Sequence, residues 1–472
     1  MRLRWCLALL TSGSVLAALA GPASAGAGGF TKPFPTHPAH AAPFGPETIR
    51  AATSGGGRVP TNINASRKGG NQSEQTISVN PTNPNNVVII SNDEAGAGVF
   101  EAYTFDGGVT WTRTEIADGD NLGNACCDAQ GSFDTFGNYF FVYLGTGVQV
   151  GWSTDGGATF RPAFTVATGG VDQPSLATGA NSVWVSWNQS GVIKARGAKV
   201  TGLGTIGTVG GMQNVPNANG SFGDTEVGPN GEVAVVYQNP YNNEGPSTVY
   251  VNVDPDGVGG AGFGPRVTVT TTNVGGFDYI PAQSGRSVDS ETDLEWDRST
   301  SAFRGRLYLI YTEETAPENN NTEILLRYSD NNGATWSGSV RVNDDATTRS
   351  QFLPKPAVDQ TTGKLAVGWH DARNDAGNHG PGDTNGVAND DAQFWGAVSG
   401  PGGTSFGANF QISVGTSNDN DANSGVDYGD YIGLDANAGV FWPAWADNSN
   451  STGDNPNGTL NQFDVYTAKV AM

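Results

Sequence analysis

The stretch Phe105-Asp106-Gly107-Gly108-Val109-Thr110-Trp111 decides the fold, because two further segments repeat its pattern. The copies are Thr154-Asp155-Gly156-Gly157-Ala158-Thr159-Phe160 and Ser329-Asp330-Asn331-Asn332-Gly333-Ala334-Thr335-Trp336. In each copy an Asp can hydrogen-bond to the backbone of its own turn, Gly or Asn tolerates a positive φ, and an aromatic ring can cover the hairpin. The pattern therefore predicts three similar hairpins, with Asp106, Asp155 and Asp330 in structural rather than chemical roles.

A second, longer repeat consists of a short strand, a turn residue and a strand rich in Val, Phe, Tyr and Trp. Its seven copies span residues 74–93, 128–144, 173–187, 224–237, 291–311, 353–369 and 429–445. Short strands recurring at roughly 40 to 70 residues indicate a β-propeller. Only one strand, at 463–470, follows the seventh copy. We therefore expect an all-β fold of seven blades, with residues 59–65 closing the ring, and six blades as the alternative count.

The three hairpin segments resemble the Asp-box, or BNR repeat, of sialidase-like β-propellers, whose pattern is S-x-D-x-G-x-T-W. Sialidases carry an arginine triad that holds the substrate carboxylate, a Tyr nucleophile paired with a Glu, and an Asp acid. The resemblance implies that Tyr431 with Glu226 or Glu291 forms the Tyr and Glu pair, and that Asp128 or Asp172 is the acid. The arginine triad has no counterpart, which argues against sialic acid as the substrate, since planar carboxylates are recognised by bidentate guanidinium groups.

Strand alternation predicts which side chains face the centre of the ring, since successive residues of a strand point to opposite sides. Two sets of positions precede the turn of each long repeat by six and by four residues, and twelve of the fourteen are polar. We expect these sets to surround the mouth, the end of the central channel where the innermost strands begin. The ends of the second strands add His370, Asp371 and Arg373 there. A concave site with convergent polar groups is the default ligand site.

Acidic side chains crowd this predicted mouth. Two carboxylates about 6 Å apart repel by roughly 2 to 3 kcal/mol at an effective dielectric constant near 20, so not all of them can be ionised without help. A shared proton would give the acid and base pair of a glycosidase. A bound cation would be Ca²⁺, because oxygen ligands dominate, and Asp224 and Glu74 are the expected ligands. The crowded residues are Glu74, Asp128, Asp224, Glu226, Glu291 and Asp293.

The sequence thus predicts an exo-acting glycosidase of sialidase-like fold that binds carbohydrate and requires no cofactor. The expected catalytic residues are Glu226, Asp293, Tyr431 and Asp128, and the expected substrate-binding residues are Lys355, Arg373, His370, Asp371, Asp172 and Glu291. One alternative is a uronate polysaccharide lyase that uses Tyr431 or His370 as its base. The other is a non-catalytic propeller that binds glycans or proteins through Trp395, Trp442 or Tyr428. The long polar loop at 371–391 opens onto the mouth, and we expect it to be functional.

The remaining signals concern the location and partners of the protein. Residues 1–25 have the charged, apolar and small-residue regions of a secretory signal peptide, residues 26–57 form a Pro, Gly and Ala-rich tether, and residues 58–472 form the propeller. The net charge of −22 excludes nucleic acid and anionic membranes as partners. We expect a secreted, extracellular monomer. In that oxidising setting Cys126 and Cys127 are either a vicinal disulfide or two free thiols.

Overall fold

The computed structural model describes residues 59–94, 96–422 and 428–472, which form strands and turns without a helix. Within these ranges no helix is present that has the length and apolar character needed to cross a membrane. The predicted signal peptide at 1–25 and tether at 26–57 lie outside the described residues. The described chain is all-β.

Seven antiparallel sheets surround one axis, and their innermost strands contact each other in a closed ring. The seven-bladed prediction is therefore confirmed, and the six-bladed alternative is wrong. The first strand, β1 (Asn62–Asn64), belongs to the last blade. In blades I to III, separated by a small hairpin after blade I, the following strands run outward from the axis. Blade I has β2 (Gln72–Val79), β3 (Val87–Asp93), β4 (Val99–Thr104) and β5 (Thr112–Ile116), and the hairpin after it has β6 (Asp118–Asp120) and β7 (Gly123–Asn124). Blade II has β8 (Cys127–Phe133), β9 (Tyr139–Leu144), β10 (Gly147–Ser153) and β11 (Arg161–Thr168). Blade III has β12 (Val171–Gly179), β13 (Ser182–Gln189), β14 (Val192–Gly202), β15 (Thr205–Val209) and β16 (Gln213–Asn219).

The other four blades follow the same plan. Blade IV has β17 (Thr225–Val227), β18 (Val233–Asn239), β19 (Ser247–Asp254) and β20 (Val267–Thr272), and an inserted hairpin has β21 (Asp278–Ile280) and β22 (Gln283–Val288). Blade V has β23 (Asp293–Trp296), β24 (Leu307–Glu314), β25 (Thr322–Ser329) and β26 (Val340–Arg341), and blade VI has β27 (Gln351–Val358), β28 (Leu365–Asp371), β29 (Asp391–Ser399), β30 (Phe410–Gln411) and β31 (Ser417–Asn418). Blade VII has β32 (Gly433–Asn437), β33 (Val440–Asp447), β34 (Asp464–Ala468) and β35 (Val470–Ala471), completed by β1.

Ring closure is achieved by pairing strands from the two ends of the described chain. In β1, Ile63 lies opposite Thr467 of β34 and is fully buried. Beside this pair, Asp464 accepts hydrogen bonds from the side chains of Asn64 and Ser66. The expected closing strand at 59–65 is thus in place.

Blade interfaces account for the apolar strands. Seven buried apolar clusters lie one at each interface between neighbouring blades. Second strands are covered by a blade on each face, and residues 87–90 of β3, Val-Val-Ile-Ile, are accordingly all fully buried. Burial on both faces explains why these strands read as continuous apolar runs instead of alternating ones.

The three predicted hairpins join the third and fourth strands of blades I, II and V, on the face away from the mouth. In the first, Asp106 accepts hydrogen bonds from the backbone N–H and the hydroxyl of Thr110, at 2.9 and 2.7 Å. Asp155 makes the equivalent contacts with Thr159. Both residues have the structural role that the sequence predicts.

The third hairpin corrects the assignment of Asp330. Asn331 occupies the equivalent place, where its side-chain oxygen accepts from the Thr335 N–H at 2.9 Å. Asp330 is one residue out of register and pairs with Arg306 instead. A fourth, longer turn of this kind in blade IV, missed in the sequence, is held by Asp256, whose carboxylate accepts from the N–H groups of residues 260 and 261.

Substitution of Asn331 should therefore cost more stability than substitution of its acidic neighbour. Asn331→Ala removes hydrogen bonds inside the turn and should lower the free energy of unfolding by about 1 to 2 kcal/mol. The Asp330 side chain is 60% exposed, so water can replace its carboxylate beside the buried Arg306 guanidinium, and the loss in Asp330→Ala should be under about 1 kcal/mol. Urea unfolding of both variants checks this order, and the reverse order would reinstate Asp330 as the turn residue.

Candidate functional site

The innermost strands begin with a shared backbone feature that sequence alternation did not reveal. Six of the seven residues that lie six positions before the turn of each repeat are left-handed, with φ between 42° and 84°. In blades I, II, III and VI this residue lies within a β-bulge, which shifts the register of the strand. A bulge re-aims the side chains around it, so strict alternation ends at the mouth. The six residues are Glu74, Asp128, Gln173, Glu291, Leu353 and Gly429.

The side chains of these left-handed residues differ in direction from blade to blade. Leu353 turns into the core between blades VI and VII and is 1% exposed. At Gly429 a Cβ atom would lie 2.5 Å from the Glu74 side chain, so only glycine allows Glu74 to approach blade VII. Asp128 and Gln173 face the centre of the ring.

Two adjoining cavities lie on the axis of the propeller. The mouth pocket, bounded by Asp128, Glu291, Asp293 and Asp430, has an empty volume of about 510 Å³ including its open end. The axial channel beneath it, bounded by Glu226, Glu295, Arg298 and Asp435, has about 700 Å³. The cavities share four lining residues, namely Gln130, Asp224, Lys355 and Tyr431.

Most of the residues proposed from the sequence meet in these cavities. Glu226, Lys355 and Tyr431 line the axial channel, and Asp128, Glu291 and Asp293 line the mouth pocket, with Asp224 shared by both. Glu74 lies behind the mouth pocket against Arg286, and Asp172 is close enough to Asp128 to raise its pKa.

Three proposed residues lie elsewhere. His370 is 1% exposed and packs against Phe352 and Tyr428 in the aromatic core, where burial lowers its pKa to about 3. Arg373 stacks on a Trp ring and pairs with Asp371. Their predicted placement at the mouth is wrong because the second strand of blade VI ends inside the blade instead of at the cavity. The buried rings of Tyr428 and Trp442 likewise offer no surface for a sugar.

At the mouth pocket, Asp293 lies between an acid and a base. The ammonium group of Lys355 donates a hydrogen bond to Asp293 Oδ1, while the Asp224 carboxyl lies within hydrogen-bonding reach of Asp293. The other Asp293 oxygen, Oδ2, is buried and receives no hydrogen bond from a donor. Burial raises the pKa of Asp293 well above its usual value, and Lys355 opposes that rise.

Asp128 has a different environment in the same pocket. Burial raises its pKa well above the usual value, and the acidic neighbours Glu74, Asp172 and Asp430 raise it further. A hydrogen bond from the Gln173 N–H, at 3.2 Å, offsets only part of this effect. Burial thus favours the protonated form of both carboxyls, and at Asp293 the cation Lys355 opposes that effect.

Tyr431 lines the same pocket as these two carboxyl groups. Its hydroxyl is buried without a hydrogen-bond partner. Burial raises its pKa well above the usual value, and the neighbouring carboxylates of Glu74 and Asp128 add to that effect. The hydroxyl consequently stays protonated, which disfavours the phenolate nucleophile that the sialidase resemblance implies.

Arg298 forms the base of the axial channel and was missed in the sequence. It bonds Glu226 at 3.0 Å and the carbonyl of Val227 at 2.8 Å, and it lies 3.8 Å from Glu295. Arg298 follows the turn residue of the blade V repeat directly, so its position after the strand was the available signal. Burial raises the pKa of Glu226 to about 7, although Arg298 opposes the shift.

A hairpin formed by β21 and β22 extends over the mouth, and we call it the mouth hairpin. It arises between blades IV and V, yet Ile280 and Val288 pack in the cluster between blades VI and VII. Its Arg286 makes a two-point ion pair with Asp430 at 2.8 and 2.9 Å and also bonds Glu74. The hairpin therefore contacts Asp430, a residue of the mouth-pocket wall.

Comparisons with known proteins found similarity to solved structures alone. No protein-family model matches the chain, and no curated protein matches it either. Among solved structures, it is similar to a Penicillium chrysogenum alpha-L-arabinanase complexed with arabinobiose, with a TM-score of 0.41 and 13% identity over 72% of this chain and 99% of that one. It is also similar to a GH93 alpha-L-arabinofuranosidase of Fusarium graminearum, with a TM-score of 0.40 and 14% identity over 64% of this chain and 88% of that one. A third similar structure is a Hadza microbial sialidase, with a TM-score of 0.42 and 11% identity over 82% of this chain and 73% of that one.

The buried carboxyls should make folding stability depend on pH. The folded pKa of Glu226, about 7, lies above its unfolded value near 4.3, so its contribution is complete below about pH 4 and is lost as pH rises through about 7. We expect Glu226→Gln to flatten the fall in unfolding free energy between pH 5 and 7.5 by at most about 2 to 3 kcal/mol. Urea unfolding of both proteins at several pH values measures this, and identical slopes would contradict it.

Proposed function

We propose that the protein is a secreted glycoside hydrolase that cleaves a neutral or basic glycan at the mouth pocket. The proposal rests on one observation: the pocket holds two buried carboxyl groups, Asp128 beside acidic neighbours and Asp293 beside the ammonium group of Lys355. Such a pair is what glycosidic bond hydrolysis requires, one group to protonate the leaving oxygen and one to act as base or nucleophile.

In this proposal Asp128 is the general acid. Its acidic neighbours keep the proton on it at neutral pH, and the proton passes to the glycosidic oxygen as the bond breaks. Asp293 is the ionised partner, and Lys355 stabilises its negative charge. Tyr431, with a protonated hydroxyl that lacks a partner, donates a hydrogen bond to a sugar oxygen. Glu226 and Arg298, paired in the channel beneath, stay intact and limit the depth of the site.

The charge and shape of the pocket define the substrate class. Asp289, Glu291 and Asp430 add further carboxyls to its wall, whereas Lys355 is its basic lining residue. An acidic sugar would be repelled, which argues against sialic acid and uronate, and His370 and Arg373 lie too far within blade VI to assist a lyase. The mouth hairpin lies against the Asp430 side of the mouth pocket. A glycan chain should therefore not continue past that side, and we expect the enzyme to remove sugars from chain ends.

Loss of either carboxyl should abolish most turnover. Asp128→Asn and Asp293→Asn should each lower kcat by about 10² to 10⁴-fold, because a positioned acid or base contributes that much. Release of reducing ends from a panel of neutral oligosaccharides measures the effect, and Asp118→Asn, an exposed carboxyl, is the control. Affinity without any turnover by the unmodified protein would favour a binding platform instead, and unsaturated uronate products would favour a lyase.

Lysine removal should move one limb of the pH profile. Without Lys355 the pKa of Asp293 rises further, so the ionised form is lost at a higher pH and the acidic limb of kcat/KM shifts upward. Lys355→Met is the test variant, and Lys199→Met, on the exposed face of blade III, is its control. An acidic limb that stays in place would remove Asp293 from the role of base.

A further inference from the structure

A second group of carboxylates lies outside the cavities, at the start of β29. The loop at 372–390, which we call the blade VI loop, brings Asp375 and Asp390 next to Asp391. One carboxylate oxygen of each lies within 4.8 Å of the other two, and all three residues are buried. Oxygens that share a calcium ion at 2.3 to 2.6 Å are separated by no more than about 5 Å, so this spacing fits one ion.

Asp390 carries an independent sign of a missing ligand. It is 4% exposed, and its Oδ1 atom is buried without a hydrogen-bond partner. Its other oxygen accepts from the Asn385 amide at 3.1 Å, so the side chain is held in place while one oxygen remains unsatisfied. An unsatisfied buried carboxylate oxygen is costly unless a cation or proton meets it.

Among the residues that the structure describes, no basic side chain forms an ion pair with the cluster. Arg373, in the same loop, pairs with Asp344 and Asp371 instead. The contacts of Asp375 come from the backbone N–H groups of Gly377, Asp390 and Asp391, at 3.2, 2.8 and 3.0 Å. Asp391 accepts from the Thr384 hydroxyl at 2.7 Å and from the Asn418 amide at 2.9 Å. These donors fix the geometry of the carboxylates but add no positive charge.

We propose that Asp375, Asp390 and Asp391 bind one calcium ion. The ligands are all oxygen atoms, which favours calcium or magnesium over a transition metal. An irregular loop that supplies carboxylates of unequal geometry suits calcium, since magnesium requires a near-ideal octahedron and retains several waters. This site is separate from Asp224 and Glu74, the residues that the sequence favours for a metal.

The ion would also brace the mouth. The amide nitrogen of Asn420 donates to Pro281 O at 3.1 Å and lies 3.5 Å from Asp390 Oδ2, and its oxygen accepts from Ser284 at 2.6 Å. Pro281 and Ser284 belong to the mouth hairpin. Calcium at Asp390 therefore stabilises the support of the hairpin.

Equilibrium dialysis with ⁴⁵Ca²⁺ tests the site directly on the full chain. The unmodified protein and Asp421→Asn, an exposed neighbouring carboxylate, should each bind one calcium ion, and Asp390→Asn should bind at least about tenfold more weakly. Chelation with EGTA should lower the melting temperature of the first two proteins but not of Asp390→Asn. Asp224→Asn should bind as the unmodified protein does.

Several results would overturn the proposal. These are no calcium binding at millimolar concentration, unchanged binding by Asp390→Asn, or loss of binding in Asp224→Asn alone, which would put the ion at the mouth. If Asp390→Asn does not fold, anomalous scattering from crystals of the unmodified protein in calcium locates the ion without a variant. None of these measurements depends on glycoside turnover.

Discussion

Ring closure between β1 and β34 is the constraint on which the other parts of the structure depend. A propeller blade buries its faces only against two neighbours, and the blades at the chain ends have theirs only if the ring is complete. Three residues of β1 supply the outer edge of blade VII, and the buried Asp464 fixes them through Asn64 and Ser66. The central cavities exist because all seven innermost strands then converge on one axis.

Convergence on an axis concentrates charge as well as backbone. All seven blades line the two central cavities, and nine of the lining residues are carboxyls whereas two, Arg298 and Lys355, are basic. Lys355, Arg298 and Arg286 each meet two acidic side chains in different parts of the site. Each of the three cations lowers the pKa of the carboxyl it contacts, against the rise that burial causes. A contact of this kind separates Asp293, held by Lys355, from Asp128, with acidic neighbours.

The sequence was sufficient for the architecture and for the residues in regular strands. Repeat period and turn chemistry predict the blades, and alternation predicts that Glu226, Lys355 and Tyr431 face the channel, where they lie. Alternation fails at the bulges and strand ends: Leu353 and His370 turn into the core because the local backbone, not the period of two, sets their direction. Arg286 and Arg298 come from an insertion and a turn, and no periodic pattern could place them.

The mouth hairpin has a mechanical consequence. It begins between blades IV and V and contacts blades VII and I through the ion pairs of Arg286, so it links opposite sides of the ring. Arg286 lies near the place where blade VII meets blade I. The closed ring is thus held at two places, by the backbone pairing of β1 with β34 at the outer edge and by the Arg286 guanidinium near the axis, and opening the ring there requires both contacts to break.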